Sequence, residues 1–139
     1  MHRNITNLVV NSELNCPSVI QFAVEVLKVE HVMVVGHYGC GGVQAVVQQQ
    51  SVGLAENWLG HVEDIVHNNA DQLDGMKSSD QRSARLCELK VTEQVANVCR
   101  TTILRRAWHL MSKSTKAERG VRTGLRFLHG TFSMSRSQN

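Results

Sequence analysis

The chain has 139 residues, 42% of them hydrophobic and 19% charged, with a formal net charge of +3, which allows one domain with a modest core. No run of ~18 or more apolar residues occurs, which excludes an ordinary membrane-spanning helix. Met1-His-Arg-Asn is not a basic segment leading into an apolar one, so no secretory signal is visible and the cytoplasm is the expected compartment.

His2 to Val10 begins abruptly, and its Ile5, Leu8, Val9 and Val10 are apolar enough to be buried. Asn15 reads as a helix N-cap, with Pro17 in the first turn where its missing N–H costs little. Ile20, Ala23, Val24 and Leu27 then make one stripe, which Val19, Phe22 and Val26 widen, so this helix is expected to be buried on much of its circumference. Val32-Met-Val-Val35 predicts a short buried strand. Glycines follow at 36, 39, 41 and 42, interleaved with His37, Tyr38 and Cys40, and Val43 to Gln50 looks helical.

Residues 57–67 repeat the helical pattern through Trp58, Val62, Ile65 and Val66, with His61 and His67 expected on its surface. Residues 68–82 are polar and read as a flexible connection. Arg82 to Arg106 is the longest helical pattern. Leu89, Thr92, Ala96, Cys99 and Ile103 form one face and Val91, Val95 and Val98 another, as if the helix packed on a sheet and on a partner subunit. An apolar strand beside amphipathic helices implies an α/β fold with a parallel β-sheet core and flanking helices. The cysteines at 16, 40, 87 and 99 are scattered, and all four read as reduced thiols.

The chemistry concentrates at Gly36-His-Tyr-Gly-Cys-Gly-Gly42. Glycine permits positive φ and close backbone approach. His37 and Cys40 stand three positions apart at the C-terminal end of a strand, where ligands of open α/β sheets gather. Imidazole nitrogen and thiolate sulfur together suit zinc. The bland alternative is a strand–loop–helix connection with an incidental buried cysteine and a hydrogen-bonded histidine.

The whole string resembles the zinc-binding turn of the β-class carbonic anhydrases. The resemblance extends upstream through His2-Arg-Asn-Ile-Thr-Asn-Leu-Val-Val10, Leu14-Asn-Cys16 and Ser18-Val-Ile-Gln-Phe-Ala-Val24. Downstream it runs through Gly53-Leu54, Asn57-Trp-Leu59, Leu86-Cys-Glu-Leu89, Glu93-Gln-Val95 and Arg100-Thr-Thr-Ile103, covering about residues 2–108. It implies a zinc lyase that reversibly hydrates carbon dioxide to bicarbonate, with His37 and Cys40 as two of three protein ligands to zinc. Gly41 and Gly42 would line the small substrate cleft. Arg3 would lie near a dimer interface or a bicarbonate.

The third family ligand is the cysteine of a Cys-x-Asp-x-Arg motif whose Asp and Arg orient the nucleophile. That motif does not occur here, and Cys16 and His2 are the nearest replacements in sequence. The expectation is therefore a partial domain over 1–108, incomplete at both ends, with weak activity or none alone. It should be prone to homo-oligomerisation or aggregation.

From His109 the pattern changes. Six of the fifteen Lys and Arg residues lie in 109–139 against the single acid Glu118, giving +5 there and −2 over 1–108. This segment reads as a basic tail, either disordered or the product of a frame change near codon 108. Two other functions remain on these residues: a non-catalytic pseudoenzyme or subunit that pairs with an intact homologue, and a protein whose basic tail binds nucleic acid. Scarce aromatics in the tail, Phe127 and Phe132 only, argue against the last.

Overall fold

A computed structural model describes residues 1–29, 31–117 and 131–133, with side chains through His109. In chain order it contains a 3-10 turn at Ile5–Asn7, helix α1 at Asn15–Gln21 running into a π-helical turn at Phe22–Val26, and strand β1 at Val35–His37. Then come α2 at Gly41–Val47, α3 at Ala55–Asn68, α4 at Ala70–Leu73, α5 at Ser79–Arg100, α6 at Thr102–Ala117 and β2 at Thr131–Ser133. The two strands pair in parallel, Val35 with Thr131, Gly36 with Phe132 and His37 with Ser133. A parallel pair needs a crossover, and here α2 to α6 supply it.

Helix α5 organises the rest. Its buried positions are Ser83, Leu86, Cys87, Lys90, Val91, Gln94 and Val98, the three-and-four spacing of an inward stripe. Asp80 in its first turn and Arg100 in its last complement the helix dipole. One core joins Leu8, Cys40, Val43, Leu59, Val62, Ile65, Leu86 and Cys87. A second joins Val9, Cys16, Val24, Val34, Val91, Val98, Ile103 and Leu104. Leu86 and Cys87 thus face α2 and α3, while Val91 and Val98 share the second core with α1 and α6. Of the two faces expected for this helix, Val91 and Val98 are buried, but Thr92 is exposed and Leu89, Ala96 and Cys99 are only half-buried, so the inward stripe is centred on Leu86, Cys87, Lys90 and Gln94 instead. Gln94 also ties in the N-terminal segment, since its buried Oε1 accepts the Val9 N–H at 2.7 Å.

Several local expectations are corrected. The single helix over 82–106 is two, because Thr101 turns to φ −59°, ψ 143°. Its Oγ1 donates to the Val98 carbonyl at 2.7 Å and accepts the Leu104 N–H at 3.4 Å, so one hydroxyl closes α5 and opens α6. Asn15 is the first residue of α1 and not its cap. The Glu13 carboxylate takes the Asn15 and Cys16 N–H groups at 3.1 and 3.4 Å, satisfying donors that a helix start leaves open.

Helix α1 is less buried than its composition suggests: Val19, Phe22, Val26 and Leu27 are exposed, and Ile5 also lies outside the core. The strand expected at 32–35 is displaced to Val35–His37, where β2 supplies its partner. The connection at 68–82 holds the short helix α4. The segment from 109 differs in part as well, since α6 continues through Trp108 to Ala117 and Thr131–Ser133 docks on β1. The rest of that segment lies outside the described residues.

His61 and His67 are on the surface as expected, with the His61 ring edge-on to Trp58 at 6.0 Å between centroids. All four cysteines are free thiols. Among the described residues no helix is long and apolar enough to cross a membrane.

Candidate functional site

The turn that carries His37 and Cys40 is shaped by two glycines above all. A Cβ on Gly36 would lie 2.3 Å from Val91 Cγ2, so only glycine lets β1 pass this close to α5. Gly39 sits at φ +68°, a conformation that costs glycine nothing and strains most other residues. Gly41 has open space where a side chain would stand, whereas Gly42 is pressed against Thr6 Cγ2 and Leu59 Cδ2. Of the two glycines assigned to a substrate cleft, then, Gly41 faces free space and Gly42 faces the core. Arg3 is exposed.

The two chemistry-bearing side chains are held differently. Cys40 is buried in the core formed with α2, α3 and α5. It is the residue preceding α2, and its carbonyl accepts the Gln44 N–H at 2.9 Å. His37 is exposed. Its Nδ1 lies 3.0 Å from the carbonyl oxygen of Tyr38, and because a carbonyl can only accept, Nδ1 is the donor in this contact, which in the neutral imidazole leaves the Nε2 lone pair free.

Around the turn, α5 contributes contacts that the sequence did not disclose. Tyr38 donates its hydroxyl to Glu88 Oε1 at 2.9 Å. Arg85 donates to the other Glu88 oxygen at 2.6 Å and to Gln72 Oε1 at 2.8 Å. The arginine, with burial opposing it and the Tyr38 bond assisting, lowers the Glu88 pKa from its ordinary range. The same carboxylate raises that of the Tyr38 phenol. Cys87 sits against the other end of the turn, where the Cys40 backbone N–H reaches its sulfur. Burial raises the Cys87 pKa, while the nearby Lys90 charge and that amide oppose the rise. Lys90 is 1% exposed, a buried ammonium that no periodicity argument predicts.

The donors in the turn are of the kind zinc takes, an imidazole nitrogen with its other nitrogen already committed and a thiol. They are two in number. Among the described residues no group of three or more His, Cys, Asp or Glu could hold a metal ion. The structure does not bring His2 or Cys16 to the pair as a substitute. Cys16 is buried in the second core, and His2 Nε2 is buried without a hydrogen-bond partner.

Known proteins resemble this chain over most of its length. The family model described as carbonic anhydrase matches residues 1–115. A carbonic anhydrase of Emericella nidulans is 38% identical over 108 residues, covering 78% of this chain and 47% of that protein. One of Candida albicans is 36% identical over 97 residues, covering 68% of this chain and 34% of that protein.

Among solved structures, the Coccomyxa β-carbonic anhydrase in complex with acetazolamide superposes with a TM-score of 0.78 at 31% identity, covering 94% of this chain and 55% of that one. A structure from work on two tetrameric β-carbonic anhydrases of Sordaria macrospora gives 0.76 at 31% identity, covering 94% and 60%. The chain thus spans about half the length of these relatives.

Proposed function

We propose a function from one premise: the chain belongs to the carbonic anhydrase family, in its β class. On that premise the His37–Cys40 turn is a zinc-binding turn, and the reaction it serves is the reversible hydration of carbon dioxide to bicarbonate. The observation that carries the reading is the committed Nδ1 of His37, 3.0 Å from the Tyr38 carbonyl. Metal-ligating histidines almost always donate their second ring nitrogen in this way. Zinc, when bound, supplies the acidification of water on which hydration depends.

The chain's own residues do less than a whole site. His37 and Cys40 supply two of the three protein donors of a catalytic zinc. Gly41 leaves open space beside them for a small substrate. We therefore expect the 139-residue chain to bind zinc weakly and to hydrate carbon dioxide barely or not at all. Loss of outer-shell partners alone costs ~10–100-fold in affinity or activity, and loss of a ligand costs more.

The test is metal content after dialysis, followed by stopped-flow hydration of carbon dioxide. Stoichiometric zinc with substantial turnover, abolished by Cys40→Ser, would overturn this reading and require a third donor within the chain.

A second reading has its own support. Val19, Phe22 and Val26 leave an apolar face exposed on α1 and the π turn, as a subunit that pairs with an intact homologue would. Co-purification with a full-length β-class enzyme, lost on Phe22→Ser, would favour it over an isolated catalyst.

A further inference from the structure

We infer that Arg85, Glu88 and Tyr38 form a positioning clamp that sets the orientation and tautomer of His37, a role that rests on reading His37 as a metal ligand. The inference starts from the unequal support of the two donors. Cys40 is fixed by burial among Val43, Leu59, Leu86 and Cys87. His37 is exposed and has no such packing, so its ring must be oriented by hydrogen bonding. The bond that does this ends on the Tyr38 carbonyl.

That carbonyl can hold its direction only if Tyr38 is held. On one side of it Gly39 is at φ +68°, a residue with little intrinsic stiffness. The tyrosine's ring packs against the first core, and its far end adds a directional restraint, where the hydroxyl donates to Glu88 Oε1 at 2.9 Å. Glu88 is itself immobilised through Oε2 by Arg85 at 2.6 Å, and Arg85 is held a second time by Gln72 Oε1 at 2.8 Å. Adjacent residues of one rigid helix therefore grip both ends of the turn: Glu88 takes Tyr38, and Cys87 abuts Cys40. The chain of contacts Arg85–Glu88–Tyr38–His37 is an outer shell for Nε2, presenting its lone pair outward before any metal arrives. Such outer-shell partners orient a ligand and fix its tautomer.

The experiment uses the metal-free 139-residue protein labelled with ¹⁵N-histidine, at a pH above the imidazole range. Long-range ¹⁵N–¹H correlation reads which ring nitrogen of His37 carries hydrogen, with His37→Gln assigning the signal. The wild type should show the Nδ1–H tautomer, whereas imidazoles free in water favour Nε2–H. Tyr38→Phe and Glu88→Ala should move His37 toward Nε2–H and weaken Zn²⁺ binding ~10–100-fold. Glu88→Gln keeps an acceptor for Tyr38 and should restore much of the wild-type tautomer.

Arg85→Gln, at a half-exposed site outside both cores, should shift the tautomer in the same direction. An unchanged tautomer in folded Tyr38→Phe, or Nε2–H in the wild type, would overturn the clamp. A tautomer that shifts as expected in a chain that binds no Zn²⁺ would support the clamp and overturn the metal reading alone.

Discussion

Tyr38 and Glu88, fifty positions apart, are joined by a hydrogen bond of 2.9 Å that ties the His37–Cys40 turn to α5. Its two partners titrate at opposite ends of the pH scale, which defines where the bond can act. Glu88 is depressed below its ordinary 4.5 by Arg85 first, with Tyr38 assisting. Its contribution to stability is present above that value and is lost as pH falls through the folded pKa. Tyr38 is raised above its ordinary 10.0 by Glu88. Its contribution is present below that value and is lost as pH rises through the raised one. The urea midpoints of wild type and Tyr38→Phe should therefore differ across the neutral range and converge at both extremes. A difference that persists in strong acid would assign it to packing of the ring.

Gly36→Ala should destabilise the fold by about 1–3 kcal/mol, the usual cost of forcing extra volume into a packed core. The added methyl would meet Val91 Cγ2 at 2.3 Å, and Val91 is itself buried. Val91→Ala should relieve the clash, so the double variant should be less destabilised than the sum of the singles. Urea unfolding of the three variants measures this coupling.

Leu104 is fully buried in α6, packed with Cys16, Val24 and Val98. Leu104→Ala should cost about 2–5 kcal/mol. Denaturation that reports a loss of that size places α6 within the cooperative unit. A change within ~0.5 kcal/mol, typical of surface substitutions, would detach it.

Val19, Phe22, Val26 and Leu27 are exposed on α1 and the π turn, with Met33 and Val35 also exposed, and exposed apolar side chains of this kind favour association when they form a continuous patch. The 139-residue protein should associate in a concentration-dependent manner. Phe22→Ser with Val26→Ser should reduce that association without lowering the unfolding midpoint. Light scattering coupled to size exclusion distinguishes this from a clean monomer at every concentration.

What could be read from the residues was whatever local pattern decides. The glycine spacing located the turn, and the stripe of Trp58, Val62 and Ile65 located α3. The break at Thr101 is not legible because apolar spacing runs unbroken from Leu89 to Ile103, while the interruption depends on one hydroxyl serving two helices. The displacement of β1 is not legible because a strand exists only where a partner pairs with it, and Thr131–Ser133 is distant in sequence. In the sequence Tyr38 only stands between His37 and Cys40. Its bond to Glu88 joins segments whose juxtaposition no helical or strand period encodes.

The pairing of Val35 with Thr131 also bears on how the chain is made. Closing a flexible loop of that length costs about 4 kcal/mol in chain entropy on the (3/2)RT ln n scaling, so helical contacts nearer in sequence form first. On a ribosome adding ~5–20 residues per second, β1 emerges ~5–20 s before its partner. Throughout that interval its edge is an unpaired template while α2 to α6 assemble around it. Chaperone capture or mispairing of that edge is thus favoured in the interval after α5 has formed and before residue 131 is released.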